Sequence, residues 1–207
     1  MGHANASRIF DSYLVTVGHG AVLNLNAPPE RTGRMNASVA AVMHEAGRAI
    51  NATFYESNAG KVSGQSARCA NGVATIVPTG RFDYVVTMED LSHGQRIGNY
   101  SIDFRRPNSS HWEALVPPVQ PKPKPPPSIG FGDRPDGHDP RDQYVGHKRI
   151  DVPVVPTSGA DAVDVAEVRF NCIRLVHQAA LSTESHVHLA QFSLHRRRVP
   201  WEDVKEL

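Results

Sequence analysis

Short apolar runs separated by turn-forming residues recur along this chain, and they predict a protein built mainly from β-strands. In several runs apolar and polar residues alternate, which puts successive side chains on opposite faces of a strand so that one face can be buried. Many short strands joined by turns favour a β-sandwich or jelly-roll-like domain. Between residues 52 and 116 these runs cover residues 52–56, 72–77, 82–88, 97–104 and 111–116.

The amino-terminal part of the chain predicts one hairpin and one helix. Alternating apolar positions on both sides of the turn Gly18–His19–Gly20 predict a hairpin over residues 9–25. Asn36 is a residue type that caps helices, and the apolar positions after it follow near-helical spacing. The sequence therefore predicts one helix in this domain, over about residues 37–50.

A dense run of prolines divides the chain. Proline fixes φ and has no backbone N–H donor, so the run excludes a helix or a central strand and predicts an extended spacer. The turn-rich residues 129–143 prolong it. We therefore expect a β-rich domain at 1–115, a Pro-rich and irregular linker at 116–143, a small β body at 144–198 and a tail at 199–207.

The strongest signal in the second body is a long hairpin. One arm is residues 168–176 (VRFNCIRLV) and the other is residues 186–194 (HVHLAQFSL). On both arms the apolar positions change phase midway, which predicts a β-bulge or a strand buried on both faces. A body of this size is marginal in stability alone, so we expect it to pack on the amino-terminal domain, on another subunit or on a partner.

These two arms, residues 168–194, also resemble the closing strands of galactose-binding-like, discoidin-type β-sandwich modules. The resemblance implies a module that binds glycans or other proteins through loops at one end of the sandwich. The match covers a framework and carries over no ligand-binding residue.

Charge and composition narrow the classes of partner. The chain has 22 Lys and Arg against 21 Asp and Glu, so it has no overall positive field that attracts nucleic acid. It has no apolar run long enough to span a membrane and no signal-peptide pattern, so we expect a soluble, non-secreted protein without membrane insertion. Cys69 and Cys172 lie far apart and outside any metal-type spacing, which favours buried free thiols.

The sequence contains no complete catalytic, metal or nucleotide motif. His186 and His188 lie two apart on one strand and could share a metal ion if a third ligand approached, but histidines facing solvent or an interface explain them more simply. The Gly-X-Gly segments lack the third glycine of a dinucleotide loop. We therefore expect no cofactor, no metal site and no catalytic residue.

The carboxyl terminus is the candidate partner-binding segment. Three consecutive arginines precede a proline that can open a short helix, on which one tryptophan and two apolar residues share a side. Such a tail can dock in a neighbour's groove, or the tryptophan can fold back on its own domain. The candidate residues are Arg196, Arg197, Arg198, Trp201, Val204 and Leu207.

Strand-rich bodies, a stiff spacer and an anchor-like tail favour a non-enzymatic structural or assembly protein. We expect a viral capsid, crown or surface-decoration subunit, located in a virion or a cytoplasmic assembly, whose partners are other copies of itself or other subunits. The alternative is a glycan- or protein-binding β-sandwich module, for which Trp112, Trp201 and several tyrosines offer stacking surfaces. An enzyme with a site assembled from distant residues is the third possibility.

Overall fold

The computed structural model describes residues 5–56, 58–69, 72–118, 144–175, 186–199 and 201. The described residues contain two α-helices and eight β-strands, with a short 3-10 helix between the third and fourth strands. The elements are α1 (Ala6–Val15), α2 (Ala37–Phe54), β1 (Gly60–Arg68), β2 (Ala74–Ile76), β3 (Tyr84–Glu89), β4 (Ile97–Arg105), β5 (Trp112–Val116), β6 (Arg149–Asp151), β7 (Glu167–Leu175) and β8 (His186–His195).

The strands form two antiparallel sheets that face each other. The first sheet has the order β1-β8-β3-β6, and the second has the order β2-β7-β4-β5. Inward-facing side chains from both sheets form one core, in which the rings of Phe170 and Phe192 meet with centroids 5.9 Å apart. The predicted mainly β, sandwich-like fold is therefore confirmed.

The two predicted bodies share both sheets of this sandwich. Strand β8 lies between β1 and β3, and β7 lies between β2 and β4, so strands from after the proline run occupy central positions. The predicted division into two separate bodies is wrong, because a body of three strands buries too little apolar surface to be stable alone. The predicted long hairpin is wrong as well, since β7 and β8 belong to opposite sheets. Residues 119–143 of the predicted linker lie outside the described residues.

The first arm of the predicted amino-terminal hairpin is a helix in the structure, and residues 21–25 of the second arm form no strand. Ile9, Phe10 and Tyr13 are all buried, and their spacing places them on one face of α1. The side chain of Asn5 caps α1 by accepting a hydrogen bond from the backbone N–H of Arg8 at 3.0 Å. The hairpin prediction failed because it followed every second residue and left out Phe10, which only a helix brings to the same side as Ile9 and Tyr13.

The predicted helix over residues 37–50 is confirmed, and it continues for one more turn. Asn36 caps α2 as expected, through a hydrogen bond from the backbone N–H of Ser38. The helix ends at Phe54, so the strand predicted over residues 52–56 is wrong. Thr53 and Phe54 lie on the buried face of α2, where their β propensity is overridden by packing.

The two helices cover the outer face of the first sheet and make a third layer. Phe10 of α1 and Phe54 of α2 pack against Tyr84 of β3, with ring centroids 6.4 and 5.4 Å from the tyrosine. Val86 and Ile150 complete the sheet side of this second core. The first sheet is therefore buried on both faces, which is what positions the pocket described below.

The predicted phase changes correspond to two β-bulges. In the pairing of β4 with β7, Asn99 lies opposite Arg174 and Tyr100 lies opposite Cys172, so Ile173 is the extra residue and is exposed. In the pairing of β3 with β8, the register shifts at Ala190, which is also exposed. Each bulge turns the next apolar residue back into the core, so this prediction is confirmed.

Cys69 and Cys172 form a disulfide, which corrects the expectation of free thiols. Cys69 directly follows β1 in the first sheet, and Cys172 faces inward from β7 in the second sheet. The topology of the sandwich thus brings together two residues that are 103 positions apart. The bond joins the two sheets covalently.

Glu89 is a buried carboxylate at the end of β3. Its Oε1 accepts hydrogen bonds from the backbone N–H groups of Arg96 at 2.5 Å and Ile97 at 3.0 Å, which holds the turn into β4. Burial raises the pKa of Glu89 above its ordinary value of 4.5, and the backbone hydrogen bonds offset part of this rise. The folded protein therefore retains this proton at a pH where the unfolded chain has lost it.

Glu89→Gln is expected to change how stability depends on pH. Because the folded-state pKa is raised, the wild type loses stability as pH rises from the ordinary value of 4.5 through the folded value, whereas a glutamine has no such loss. The free energy of unfolding of the variant relative to the wild type should therefore increase between acid and neutral pH. Urea unfolding at a series of pH values measures this difference. A difference that stays constant, or falls with pH, contradicts the assignment.

Candidate binding pocket

A cavity of about 360 Å³ opens between the end of α2 and the outer face of the first sheet. The carboxyl end of α2 forms one wall, β3 and β8 form the floor, and the two residues before β6 form the opposite wall. This position follows from the three-layer architecture, because α2 stops before it has covered the whole sheet. The lining residues are Val17, Phe54, Tyr55, Asn58, Lys61, Val86, Met88, His147, Lys148, Gln191 and His195.

Lys148 is the central charged group of the pocket. It is only 8% exposed, and its Nζ lies 5.3, 5.5 and 5.1 Å from the ring centroids of Tyr13, Phe54 and Tyr55. Its Nζ also donates a hydrogen bond to Oη of Tyr13 at 2.8 Å. Cation–π attraction of this kind is worth about 2 kcal/mol when the cation is desolvated, so the aromatic cage offsets part of the cost of burial.

Tyr13 and Tyr55 extend the contacts of Lys148. An ammonium group can only donate, so Tyr13 accepts from Lys148 and its own proton is available to Oη of Tyr55, 3.4 Å away. Burial raises the pKa of Tyr13, so this hydroxyl stays protonated. The hydrogen bond with Tyr13 and then the charge of Lys148 lower the pKa of Tyr55, which is 67% exposed at the pocket mouth.

A row of polar side chains on β8 forms part of the floor. Residues 191, 193 and 195 alternate with the core residues Phe192 and Leu194, so they share the outer face of the sheet. Nε2 of Gln191 donates to Oγ of Ser193 at 2.7 Å, and Oγ of Ser193 lies 2.8 Å from Nε2 of His195. Nδ1 of His195 lies 3.1 Å from the backbone carbonyl of Thr53, so Nδ1 donates.

This row positions groups in the pocket and does not form a nucleophile. Ser193 lies beside a histidine as an activated serine would, but the serine is fully buried and does not line the cavity. His195 and Gln191, at the two ends of the row, do line the cavity. The floor therefore offers hydrogen-bonding groups beside the buried ammonium of Lys148.

The mouth of the pocket combines an aromatic face with polar groups. Tyr55, Asn58, Lys61 and His147 are all exposed there. Two ammonium groups and two imidazoles line the cavity, and the lining residues that the structure describes contribute no carboxylate. The local potential is positive, although the net charge of the whole chain is +1. Such a pocket can bind a small polar ligand by stacking, hydrogen bonding and charge.

The predicted partner-binding tail begins on the surface of its own chain. The backbone N–H of Arg197 donates to Oδ2 of Asp83 at 2.7 Å, and its guanidinium lies 5.8 Å from the ring of Phe10. Arg198 exchanges backbone hydrogen bonds with Oγ1 of Thr53, and Arg196 is exposed. The ring of Trp201 packs edge-on against Phe10 at 6.1 Å.

Trp201 therefore folds back on its own chain, which was one of the two alternatives for the tail. Val204 and Leu207 lie outside the described residues. The role of the tail in binding a partner stays a prediction.

Trp112 does not present a free ring for stacking. It lies on β5, where the guanidinium of Arg169 sits 4.0 Å and that of Arg105 sits 5.7 Å from its ring centre. Oδ2 of Asp103 accepts hydrogen bonds from Asn171 at 2.6 Å and Arg169 at 3.4 Å on the same sheet face. These contacts connect side chains on the outer face of the second sheet. The exposed aromatic residue of the pocket is Tyr55.

Sequence reasoning did not find the pocket. Lys148 and Tyr13 are 135 positions apart, and the sequence contains nothing that pairs them. One local signal was available: Gln191, Ser193 and His195 are polar residues that alternate with strongly apolar ones, which marks a second face of β8 with a polar function.

The fold and the pocket define a helix-backed β-sandwich with a cationic, partly aromatic binding pocket. No protein-family profile and no curated protein sequence matches this chain. Solved structures that share this fold include chains named as α-L-fucosidases. A putative α-L-fucosidase from Bacteroides thetaiotaomicron shares 20% identity, with a TM-score of 0.64 over 94% of this chain and 35% of its own. A putative α-L-fucosidase from Bacteroides ovatus shares 17% identity, with a TM-score of 0.66 over 94% of this chain and 27% of its own.

A third similar structure is a glycoside hydrolase 29 fucosidase from Ruminococcus gnavus in complex with fucose. It shares 18% identity, with a TM-score of 0.62 over 94% of this chain and 37% of its own. The chain thus spans about a third of the length of these structures.

These likenesses overturn the expectation of a viral structural subunit without enzymatic activity. The fold of nearly the whole chain is one that occurs within enzymes named as fucosidases. The expectation was wrong because it took the lack of a complete catalytic motif as evidence for an assembly role. Among the described residues, no helix is both long and apolar enough to cross a membrane.

Proposed function

We propose that this chain is the glycan-contacting β-sandwich portion of a glycoside hydrolase similar in fold to α-L-fucosidases. The observation that carries the proposal is the fold likeness over 94% of the chain, at TM-scores above 0.6. The chain spans about a third of those structures. Hydrolytic activity and its substrate are therefore part of what we propose for the longer enzyme.

The chemistry of the pocket supports contact with a sugar. Sugars combine polar hydroxyls with an apolar ring face, and proteins bind them with hydrogen-bonding groups beside an aromatic side chain. The pocket offers the exposed ring of Tyr55 together with the side chains of Asn58 and Gln191. The resemblance of residues 168–194 to galactose-binding-like modules points to the same class of ligand.

Exposed apolar side chains favour a second role, contact with further protein in the same enzyme. Val15, Val22, Leu25 and Met35 lie in or between the two helices, and Val22 is 87% exposed. Apolar groups of this size are favourably buried against another surface. The remainder of a longer fucosidase-like polypeptide is the partner that we propose for these side chains.

Glycan binding by the full chain tests the proposal. In isothermal titration calorimetry, a fucosylated oligosaccharide is expected to bind at least about tenfold more tightly than its defucosylated counterpart. The polypeptide in which this chain occurs is also expected to hydrolyse an aryl α-L-fucoside. Tyr55→Ala removes the exposed ring and should weaken binding, whereas Trp112→Phe on the opposite sheet should not. Equal heats for the two oligosaccharides, or no heat with either, would refute glycan contact by this chain.

A further inference from the structure

Lys148 has a hydrogen-bond donor and a positive charge that the described residues do not fully use. An ammonium group has three donors; one is taken by Oη of Tyr13, and a hydrogen bond to the Tyr55 side chain accounts for a second. The ion pairs between described residues are Arg105–Glu167, Arg106–Glu113, Arg149–Asp151 and Arg169–Asp103, and none of them involves Lys148. The positive charge is therefore buried beside a cavity, and no carboxylate of the described part of the chain forms an ion pair with it.

Such an arrangement lowers the stability of the fold, which favours a role for the charge in binding. A buried charge is normally paired with an opposite charge, because removing it from water costs several kcal/mol. A methionine or leucine at position 148 would fill the same aromatic cage without that cost. The three rings and the Tyr13 hydroxyl hold the ammonium in one place, so little order is lost when a ligand pairs with it.

The surroundings of Lys148 match an anion on a sugar. Lys61 adds positive potential at the mouth and His147 adds a hydrogen-bonding group, and the positive potential draws an anionic ligand toward the pocket. The ring of Tyr55 provides a face for a sugar ring next to the ammonium group. The cavity of about 360 Å³ has room for a monosaccharide that carries a small charged group.

We propose that this pocket binds an acidic sugar unit, a sulfate ester or a uronate, by pairing its oxyanion with Lys148 while its ring stacks on Tyr55. The inference rests on the proposed function, since it names the class of glycan that the same pocket takes. Charge-assisted hydrogen bonds to the oxyanion would provide the discrimination against neutral sugars.

Titration of the full chain with four probes at neutral pH tests the inference. The probes are L-fucose, a fucose sulfate, glucuronate and inorganic sulfate. The fucose sulfate and the glucuronate should each bind at least about tenfold more tightly than L-fucose, as one charge-assisted hydrogen bond implies. Inorganic sulfate should bind more weakly than the fucose sulfate, because it lacks the ring that stacks on Tyr55.

Lys148→Met keeps the length of the side chain and removes the charge. It should abolish the preference for the charged sugars and leave the weaker binding of L-fucose. Arg106→Met is the matched control, since it removes one positive charge from the second sheet and should leave all four affinities unchanged. Because Lys148→Met also removes a buried charge, we expect the variant to fold. Its thermal unfolding checks this. If it does not fold, displacement of the Tyr55 and Gln191 NMR signals in the wild type by the fucose sulfate, but not by L-fucose at equal concentration, decides the matter.

The outcomes separate the inference from the proposed function. If the fucosylated oligosaccharide binds and the charged sugars bind no better than L-fucose, the proposed function stands and the inference fails. If inorganic sulfate binds as tightly as the fucose sulfate, the pocket recognises an oxyanion alone and the sugar assignment fails. If no sugar binds, neutral or charged, both the proposed function and the inference fail.

Discussion

Removal of the Cys69–Cys172 disulfide is expected to lower the free energy of unfolding by about 4 kcal/mol. The two cysteines are 103 positions apart, and cross-links that close long loops restrict the unfolded chain most strongly. The bond also joins the end of β1 to β7, so it holds the two sheets together at one point. Loss of this amount is a large part of the stability of an ordinary domain.

Chemical unfolding of the wild type with and without reductant measures this effect. The Cys69→Ala/Cys172→Ala double variant is the matched comparison, because it lacks the cross-link in either condition. Reduced wild type and double variant should unfold at similar denaturant concentrations, and reductant should not affect the variant. If the oxidised and reduced wild type unfold together, or if both thiols react with an alkylating agent before reduction, the cross-link does not stabilise this protein.

Phe10→Ala is expected to lower the free energy of unfolding by about 3–5 kcal/mol, the range for truncating a buried phenylalanine. Phe10 is fully buried, and its ring contacts Phe54, Tyr84 and Trp201. It thus joins α1 to α2, to the first sheet and to the start of the tail. Its loss leaves a cavity at the meeting point of all four. These elements cannot fill the cavity without shifting from their packed positions.

Thermal unfolding followed by far-ultraviolet circular dichroism and by tryptophan fluorescence tests this role. The two signals should shift together to lower temperature in Phe10→Ala, because the helices and the sandwich share the first sheet. Phe10→Leu retains most of the apolar volume and should lose far less stability. A loss below about 1 kcal/mol would place Phe10 outside the cooperative core.

The pocket and this aromatic cluster share residues, which links binding to the helix layer. Phe54 contacts Phe10 on one side and lies 5.5 Å from the ammonium of Lys148 on the other. Tyr13 belongs to α1; its ring lies near the same ammonium, and its hydroxyl accepts a hydrogen bond from it. Changes that loosen the helices should therefore weaken ligand binding as well as stability.

Some of the fold could be predicted because its signals are local. The strands expected at 72–77, 82–88, 97–104 and 111–116 appear as β2 to β5, since alternation over a few residues is sufficient to define a half-buried strand. Strand β1 was missed because it is a mostly polar edge strand, in which Val62 and Ala67 are partly buried but not regularly spaced. Strand β6 has three residues and offers too short a pattern.

The errors arose where distant parts of the chain decide the outcome. The proline run appeared to separate two bodies, but hydrogen bonding to β1, β2, β3 and β4 draws β7 and β8 into the centres of both sheets. The pairing of the cysteines and the cage around Lys148 depend on the same association of segments from before and after the proline run. Neither can be predicted from the spacing of residues along the chain.

The sequence by itself determined the class of the fold, the position of α2, most of the strands and the two bulges, because propensity, capping and alternation act over a few neighbouring residues. The tertiary structure alone decided which strands lie side by side, which cysteines meet and where a buried positive charge borders a cavity. Those features come from contacts between residues as far as 135 positions apart, whose gain in burial and hydrogen bonding exists only once the sheets have formed.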